Sequence, residues 1–329
     1  MIDELSALKL LEERFSPVSR CVELGIGDDA AALRSGSKKL QLATTDSQVE
    51  GTHFTLSRIG PRELARKAIA VALSDIGAMG GVPKFFLASA GLPGWVEEAF
   101  FKELIEGFSE SCHEFGVELI GGNICASDTL FIDITALGEV EPEHLVRRSG
   151  ASAGQDIYVS GTLGEAALGL KAEGMVARGE AAAQVLSRYT HPTPRLSLGR
   201  ELALRGLAAA MIDISDGLLL DLLRIVGPSG LGAEVRLNDL PLSGALRELS
   251  DKLHEDLFEL ALSGGEDYEL LFTARAGLTG ELAALGQSLG VQITKIGSTT
   301  ASPGLRVLER GGEEAKYEKK GFVHFGEKR

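Results

Sequence analysis

The 329-residue chain is 44% hydrophobic and 24% charged, which is enough to bury one large core or two domain-sized ones. Forty-seven Asp and Glu against 33 Lys and Arg leave a formal charge of −14, so bulk electrostatics argue against nucleic acid or an anionic membrane as partner. An acidic protein can still hold phosphates when divalent cations stand between its carboxylates and the ligand, because the ions invert the local field.

In chain order, the opening segment spaces Leu5, Leu8, Leu11 and Phe15 for one helical face, and its acidic residues do not fit a secretory signal. CVELGIG then reads as a strand ending in a turn, and 39–46 as a second strand whose polar end delivers Thr44, Thr45 and Asp46. A helical period over 61–79 starts at a proline and stops at Gly80-Gly81. Strand 84–92, helix 95–115 and strands 117–122 and 130–140 complete a first half of α/β or α+β class. Charged and small residues over 141–156 mark a domain boundary, placed to divide the chain into 1–145 and 146–329. The second half alternates again, with strands at 156–161 and 209–215 and helices near 164–172, 181–188, 195–205 and from Leu218. No apolar run approaches the roughly 20 residues that span a bilayer. Cys21, Cys112 and Cys125 are too scattered for a disulfide framework, so a reducing cytoplasm is expected.

The placement of the aspartates carries the chemistry. Asp28, Asp29, Asp46, Asp75, Asp213 and Asp216 lie among Gly, Ala, Ile, Leu, Ser and Thr, with almost no Lys or Arg nearby in sequence. A carboxylate in such company must be capped by backbone N–H groups, protonated, or bound to a cation. Several converging on one place would suit a hard cation with oxygen ligands, such as Mg²⁺. Read singly, GIGDDAA is a turn with an aspartate cap, Asp216 in IDISDG is a helix N-cap, and SGGEDYELLF is a Gly-Gly turn before a strand. Asp75 is harder to assign to structure: in the last turn of its helix it meets the negative end of the macrodipole, at a cost of roughly 0.3 to 1 kcal/mol. GTLGEAALG superficially suggests a phosphate loop, but it lacks GK[ST], and Thr162 with Glu165 fits a capping box. His191, in HPTPR, reads as part of a rigid connector.

Together GDDAA, TTDSQVEGTHF, KAIAVALSDIGAMG, GGN, IDISDGL and SGGEDYEL occur in an order that resembles the thiamine-monophosphate kinase family, over nearly the whole chain. The resemblance implies the two-domain fold of the aminoimidazole ribonucleotide synthetase superfamily: an N-terminal α/β domain that forms a homodimer, and a C-terminal α+β domain. It implies ATP-dependent phosphorylation of thiamine monophosphate in the cytoplasm, with Mg²⁺ as cofactor. Carried over residue by residue, it makes Asp29, Thr44, Thr45, Asp46, Asp75, Asn123, Asp213 and Asp216 metal ligands, with Asp46, Asp75 and Asp213 central to catalysis. Gly122, Asn123, Arg148 and Ser215 would contact ATP; His53, Glu266 and Phe322 would face thiamine monophosphate, with the Phe322 ring offered to its cationic heterocycle. The role of Asp28 stays open. One departure stands out: Asn123, in GGNIC, replaces the family's usual Asp, keeping a carbonyl ligand and losing a charge. The alternatives are another ATP-dependent enzyme of the same superfamily, or a nucleotide- and metal-binding homologue weakened in catalysis by Asn123.

Overall fold

The computed structural model describes residues 20–36, 38–171, 179–317 and 321–322, and the expected helix over 5–15 lies outside them. The first half contains β1 (Val22–Leu24), β2 (Ala31–Arg34), β3 (Leu40–Val49), α1 (Pro61–Ala78), β4 (Val82–Leu92), α2 (Glu98–Phe115), β5 (Glu118–Ala126) and β6 (Phe131–Val140). Its six strands form one sheet in the order β1-β2-β3-β6-β4-β5, with only the β4–β5 pair parallel. Strand residues alternate between its faces. Leu40, Leu42, Ile132, Ile134 and Ala136 are buried with α1 and α2, whereas Thr45 and Ser47 are exposed on the opposite face.

The second half contains β7 (Asp156–Ser160), α3 (Glu165–Lys171), α4 (Glu180–Thr190), α5 (Leu196–Leu204), β8 (Ala210–Asp213), α6 (Leu218–Val226), β9 (Gly232–Arg236), α7 (Gly244–Leu253), α8 (Leu257–Ser263), β10 (Leu270–Ala274), α9 (Thr279–Leu289), β11 (Ile293–Thr300), β12 (Gly304–Leu308) and β13 (Glu314–Ala315). Its seven strands run β13-β12-β9-β11-β7-β10-β8, all neighbours antiparallel except β9 and β12. Each sheet has its own apolar core, and a further cluster that includes Ala78, Val146, Leu198, Leu202, Met211 and Phe272 joins the halves.

Helix α1 occupies the centre. Every residue from Ala68 to Leu73 is buried, because the helix packs on the first sheet and α2 on one side and on α5 and β8 on the other. A stretch hydrophobic all round, as 68–73 is, belongs in such a position. Its crossing with α5 is close: a Cβ at Gly199 would lie 2.1 Å from the Gly77 carbonyl oxygen. The turn that ends α1 needs Gly80, whose φ is +71°.

Two local readings change. Thr162 does not build a capping box; its hydroxyl bonds the Glu165 carboxylate directly, and the Gly164 N–H instead donates to the Asp267 carboxylate at 2.9 and 3.1 Å. Nor does Asp216 cap α6. Asp221, inside that helix, reaches back to accept from the backbone N–H groups of Asp216 and Gly217, both at 3.1 Å, which leaves the Asp216 carboxylate for other partners.

Candidate active site

Three aspartates from distant parts of the chain converge beside α1. Asp29 follows the turn after β1, Asp75 is in the last turn of α1, and Asp213 ends β8. One carboxylate oxygen from each lies within 4.8 Å of the other two. Burial is the main force raising the affinity of Asp75 and Asp213 for a proton, and the neighbouring carboxylates push the same way. Asp29 is also pushed up by burial, while Arg148 pulls against it. Thr44 donates its hydroxyl to Asp75 Oδ2 at 2.6 Å, and Arg148 Nη2 donates to Asp29 Oδ1 at 2.7 Å. Asp29 Oδ2 is buried with no hydrogen-bond partner among the described residues. An oxygen-only donor set, crowded negative charge and an orphaned carboxylate oxygen fit a hard divalent cation.

Asp28 acquires a definite place. It accepts the Arg148 backbone N–H at 3.2 and 3.3 Å and so holds the start of the second half, and its guanidinium, against the Asp28-Asp29 turn. Burial, and then repulsion from Asp29, push the Asp28 carboxyl up to about 6.

Next to this cluster a cavity of about 560 Å³ opens between the halves, lined among others by Thr45, Asp46, His53, Ser215, Asp216, Glu266 and Phe322. Asp46 shares a face of β3 with Thr44, and burial pushes its carboxyl up to about 7. Asp216 pairs with Arg224 Nη1 at 2.7 Å. His53 Nδ1 accepts the Val49 N–H at 3.1 Å, which fixes the ring against the end of β3. Glu266 and Tyr268 have φ of +69° and +48°, a left-handed backbone that non-glycine residues adopt at a cost, and both lie in the loop between α8 and β10. Phe322 is tied to this wall by its N–H, which donates to the Asp216 carbonyl at 2.8 Å.

The expected residues thus fall into a carboxylate cluster and a cavity wall, with exceptions. Thr45 lines the cavity but not the cluster: its hydroxyl accepts from Thr135 at 3.4 Å on the face of β3 opposite Thr44. Gly122 and Asn123 lie on β5, the exposed edge of the first sheet, and line neither cluster nor cavity. Sequence reasoning missed the cations: Arg224 beside Asp216 and Asp221, and Lys67, whose Nζ is 3.0 Å from Glu266 Oε2. Lys67 was readable, since a lysine in the apolar stretch ARKAIAVAL poses the same question as the isolated aspartates.

The family models described as AIR synthase related protein, N-terminal domain and C-terminal domain, match residues 27–140 and 152–309. The thiamine-monophosphate kinase of Escherichia coli strain K12 is 40% identical over 308 residues, 92% of each chain. This chain belongs to the thiamine-monophosphate kinase family. The Bacillus subtilis strain 168 kinase is 34% identical over 310 residues, 92% of this chain and 94% of that one. The solved structure of AaThiL complexed with AMPPCP and TMP matches with a TM-score of 0.85 and 33% identity, covering 98% of this chain and 97% of that one. Within a thiamine-monophosphate kinase, a buried carboxylate cluster beside a cavity with acidic and aromatic walls is an arrangement suited to joining two phosphates.

Proposed function

We propose that this protein transfers the γ-phosphoryl group of ATP directly onto the phosphate of thiamine monophosphate, giving thiamine diphosphate and ADP. The observation that carries the reading is the convergence of Asp29, Asp75 and Asp213 beside a cavity walled by His53, Glu266 and Phe322. A phosphate monoester has its second pKa near 6, so at neutral pH the attacking oxygen is already mostly ionised and no strong base is needed. That oxygen bonds to the γ-phosphorus as the bond to the β–γ bridging oxygen breaks, and ADP leaves with the electron pair.

The main obstacle is repulsion between two polyanions. Asp29, Asp75 and Asp213, with Thr44, Asp46 and Asp216 as further ligands, would hold Mg²⁺, which when bound screens the phosphates and stabilises the transferring group, whereas Thr45 faces away from the cluster and Asn123 would join it only from a second copy of the chain. We assign Arg148 and Ser215 to the nucleotide, and Gly122 and Asn123 to it only across a homodimer, since within one chain they stand on the open edge of β5 away from the cavity. His53, Glu266 and Phe322 take the acceptor, the Glu266 carboxylate and Phe322 ring facing its cationic heterocycle. The division at 145/146 puts most of the metal ligands and His53 in the first unit, and Glu266 and Phe322 of the acceptor wall in the second.

We also infer a homodimer built on the first sheet. All of β5 is exposed along an open sheet edge, including Leu119, Ile120 and Ile124. Such an edge calls for a cover, and a second copy would bring Gly122 and Asn123 beside other protein. A cytoplasmic location follows from the need for ATP.

The test is ADP release and thiamine diphosphate formation from ATP, Mg²⁺ and thiamine monophosphate, with wild type and Asn123→Asp side by side. Acceptor-dependent turnover by the wild type upholds the reading, and the ratio to the variant measures the missing charge. ATP binding with no ADP released at any acceptor concentration, in either protein, overturns it.

A further inference from the structure

An ammonium group brings three donors and strong hydration, so complete burial is costly unless acceptors and opposite charge replace the water. Lys67 is fully buried in the middle of α1. Its Nζ meets Glu266 Oε2 at 3.0 Å and stands 3.7 Å from the ring centroid of Tyr189. A well-packed methionine or leucine there would stabilise the helix as well or better, because a buried ion pair commonly does no more than balance its desolvation. The purpose of the charge therefore lies in what it holds.

It holds the cavity wall from two sides. Glu266 lies in a left-handed backbone conformation that persists only where its surroundings enforce it. Its N–H donates to the Ser215 carbonyl at 2.7 Å, and its side chain is anchored by Lys67. Tyr189, whose ring the same ammonium meets, donates its hydroxyl to the His53 carbonyl at 3.0 Å. One cation on α1 therefore joins Glu266 from the second half to the His53 segment of the first, without itself lining the cavity.

We propose that Lys67 is a positioning residue for the acceptor substrate: its ion pair fixes the Glu266 carboxylate as the counter-charge for a cationic ligand, and its contact with Tyr189 seats the His53 segment opposite. The proposal rests on the reading of this wall as the acceptor side. Its direct partners are Glu266 and Tyr189, and among the described residues the nucleotide residue Ser215 is reached only through its backbone carbonyl, which accepts the Glu266 N–H, so the effect falls first on the acceptor.

The experiment is steady-state kinetics with each substrate varied in turn, together with calorimetric binding of thiamine monophosphate, for the wild type, Lys67→Met, Lys67→Arg, Glu266→Gln and the double variant Lys67→Met/Glu266→Gln. Lys67→Met is expected to raise the KM for thiamine monophosphate about tenfold, equivalent to about 1.4 kcal/mol, with the KM for ATP within about twofold. Lys67→Arg should recover part of the loss, and in the Glu266→Gln background Lys67→Met should add less than about twofold, because the interaction is already broken. Tyr189→Phe keeps the ring under the ammonium and provides a reading that survives if Lys67→Met does not fold: the acceptor KM rises severalfold and that for ATP does not. Equal losses for both substrates, or single effects that multiply in the double variant, overturn the positioning role. Wild type that binds thiamine monophosphate while Lys67→Met binds it equally well overturns the positioning role alone. Wild type that neither binds nor phosphorylates it overturns the acceptor reading and the proposal with it.

Discussion

Replacing Asp75 by Asn tests the carboxylate cluster by stability and activity together. Two unit charges 4.8 Å apart, the outer limit of the cluster, repel by about 3.5 kcal/mol at an effective dielectric of about 20. Protonation is the way out in the absence of metal, and at pH 7 it costs a carboxyl of ordinary value 3.8 about 4 kcal/mol relative to the unfolded chain. The metal-free fold therefore carries a strain of about 3 to 4 kcal/mol at this site. Asn removes it and keeps a carbonyl oxygen for the Thr44 hydroxyl, now 2.6 Å from Asp75 Oδ2. In EDTA, Asp75→Asn should melt higher than the wild type by about 4 to 6 °C. Mg²⁺ should raise the Tm of the wild type and leave that of the variant nearly unchanged, and ADP formation by the variant should be lost. The assay is thermal unfolding followed by circular dichroism with and without Mg²⁺, with ADP release measured on the same samples. A variant that melts at or below the wild type in EDTA, or that gains as much from Mg²⁺, refutes the reasoning.

Asp267 makes stability depend on pH. Burial pushes its carboxyl up to about 8 despite two bonds from the Gly164 N–H. The folded state binds this proton more tightly than the unfolded chain, so its contribution is intact below about pH 4 and is lost as pH climbs to about 8. The urea midpoint of metal-free protein should fall between pH 5 and 8, and Asp267→Asn should flatten the slope; an identical slope in the variant counts against the assignment. At Gly122 a Cβ would lie 1.8 Å from the Ala88 carbonyl oxygen. Gly122→Ala should therefore force β5 away from β4 and cost roughly 2 to 3 kcal/mol; an unchanged urea midpoint would contradict so close an approach. It should also weaken the homodimer in sedimentation, since the displaced strand is the proposed contact.

Much of the fold could be read because periodicity and punctuation agree. Helix α1 shows Pro61 at its start and Gly80-Gly81 at its end, and its observed bounds differ from the expected 61–79 by one residue. Strand β2 was missed because AALR is too short and too small to alternate visibly. Strand β3 continues to Val49 through TTDSQV, a polar run whose strand character comes from its pairing with β6. For the site, the aspartates were legible as charges without local partners. Their partners were not, because the pairing is long-range: Asp29 and Arg148 are 119 positions apart, and Lys67 and Glu266 are 199 apart. Periodicity operates within a helix or a strand and carries no information at that distance.

The same separation explains how the site can exist at all. Asp75 faces both the negative end of α1 and the carboxylates of Asp29 and Asp213, so local energetics oppose it on each count. What holds it there is the packing of α1 on both sides, since each buried aliphatic side chain contributes about 1.5 to 3 kcal/mol and α1 buries Ile69, Val71, Leu73 and Ile76. The helix that buries most of its length among the described residues thus carries two charges that its packing opposes, Lys67 on one turn and Asp75 two turns later. Both charges are reached from the second half, Lys67 by Glu266 and Asp75 by Asp213. A small shift of that half along α1 would loosen the acceptor wall and the carboxylate cluster together, which makes the contact between the halves part of the chemistry as well as of the fold.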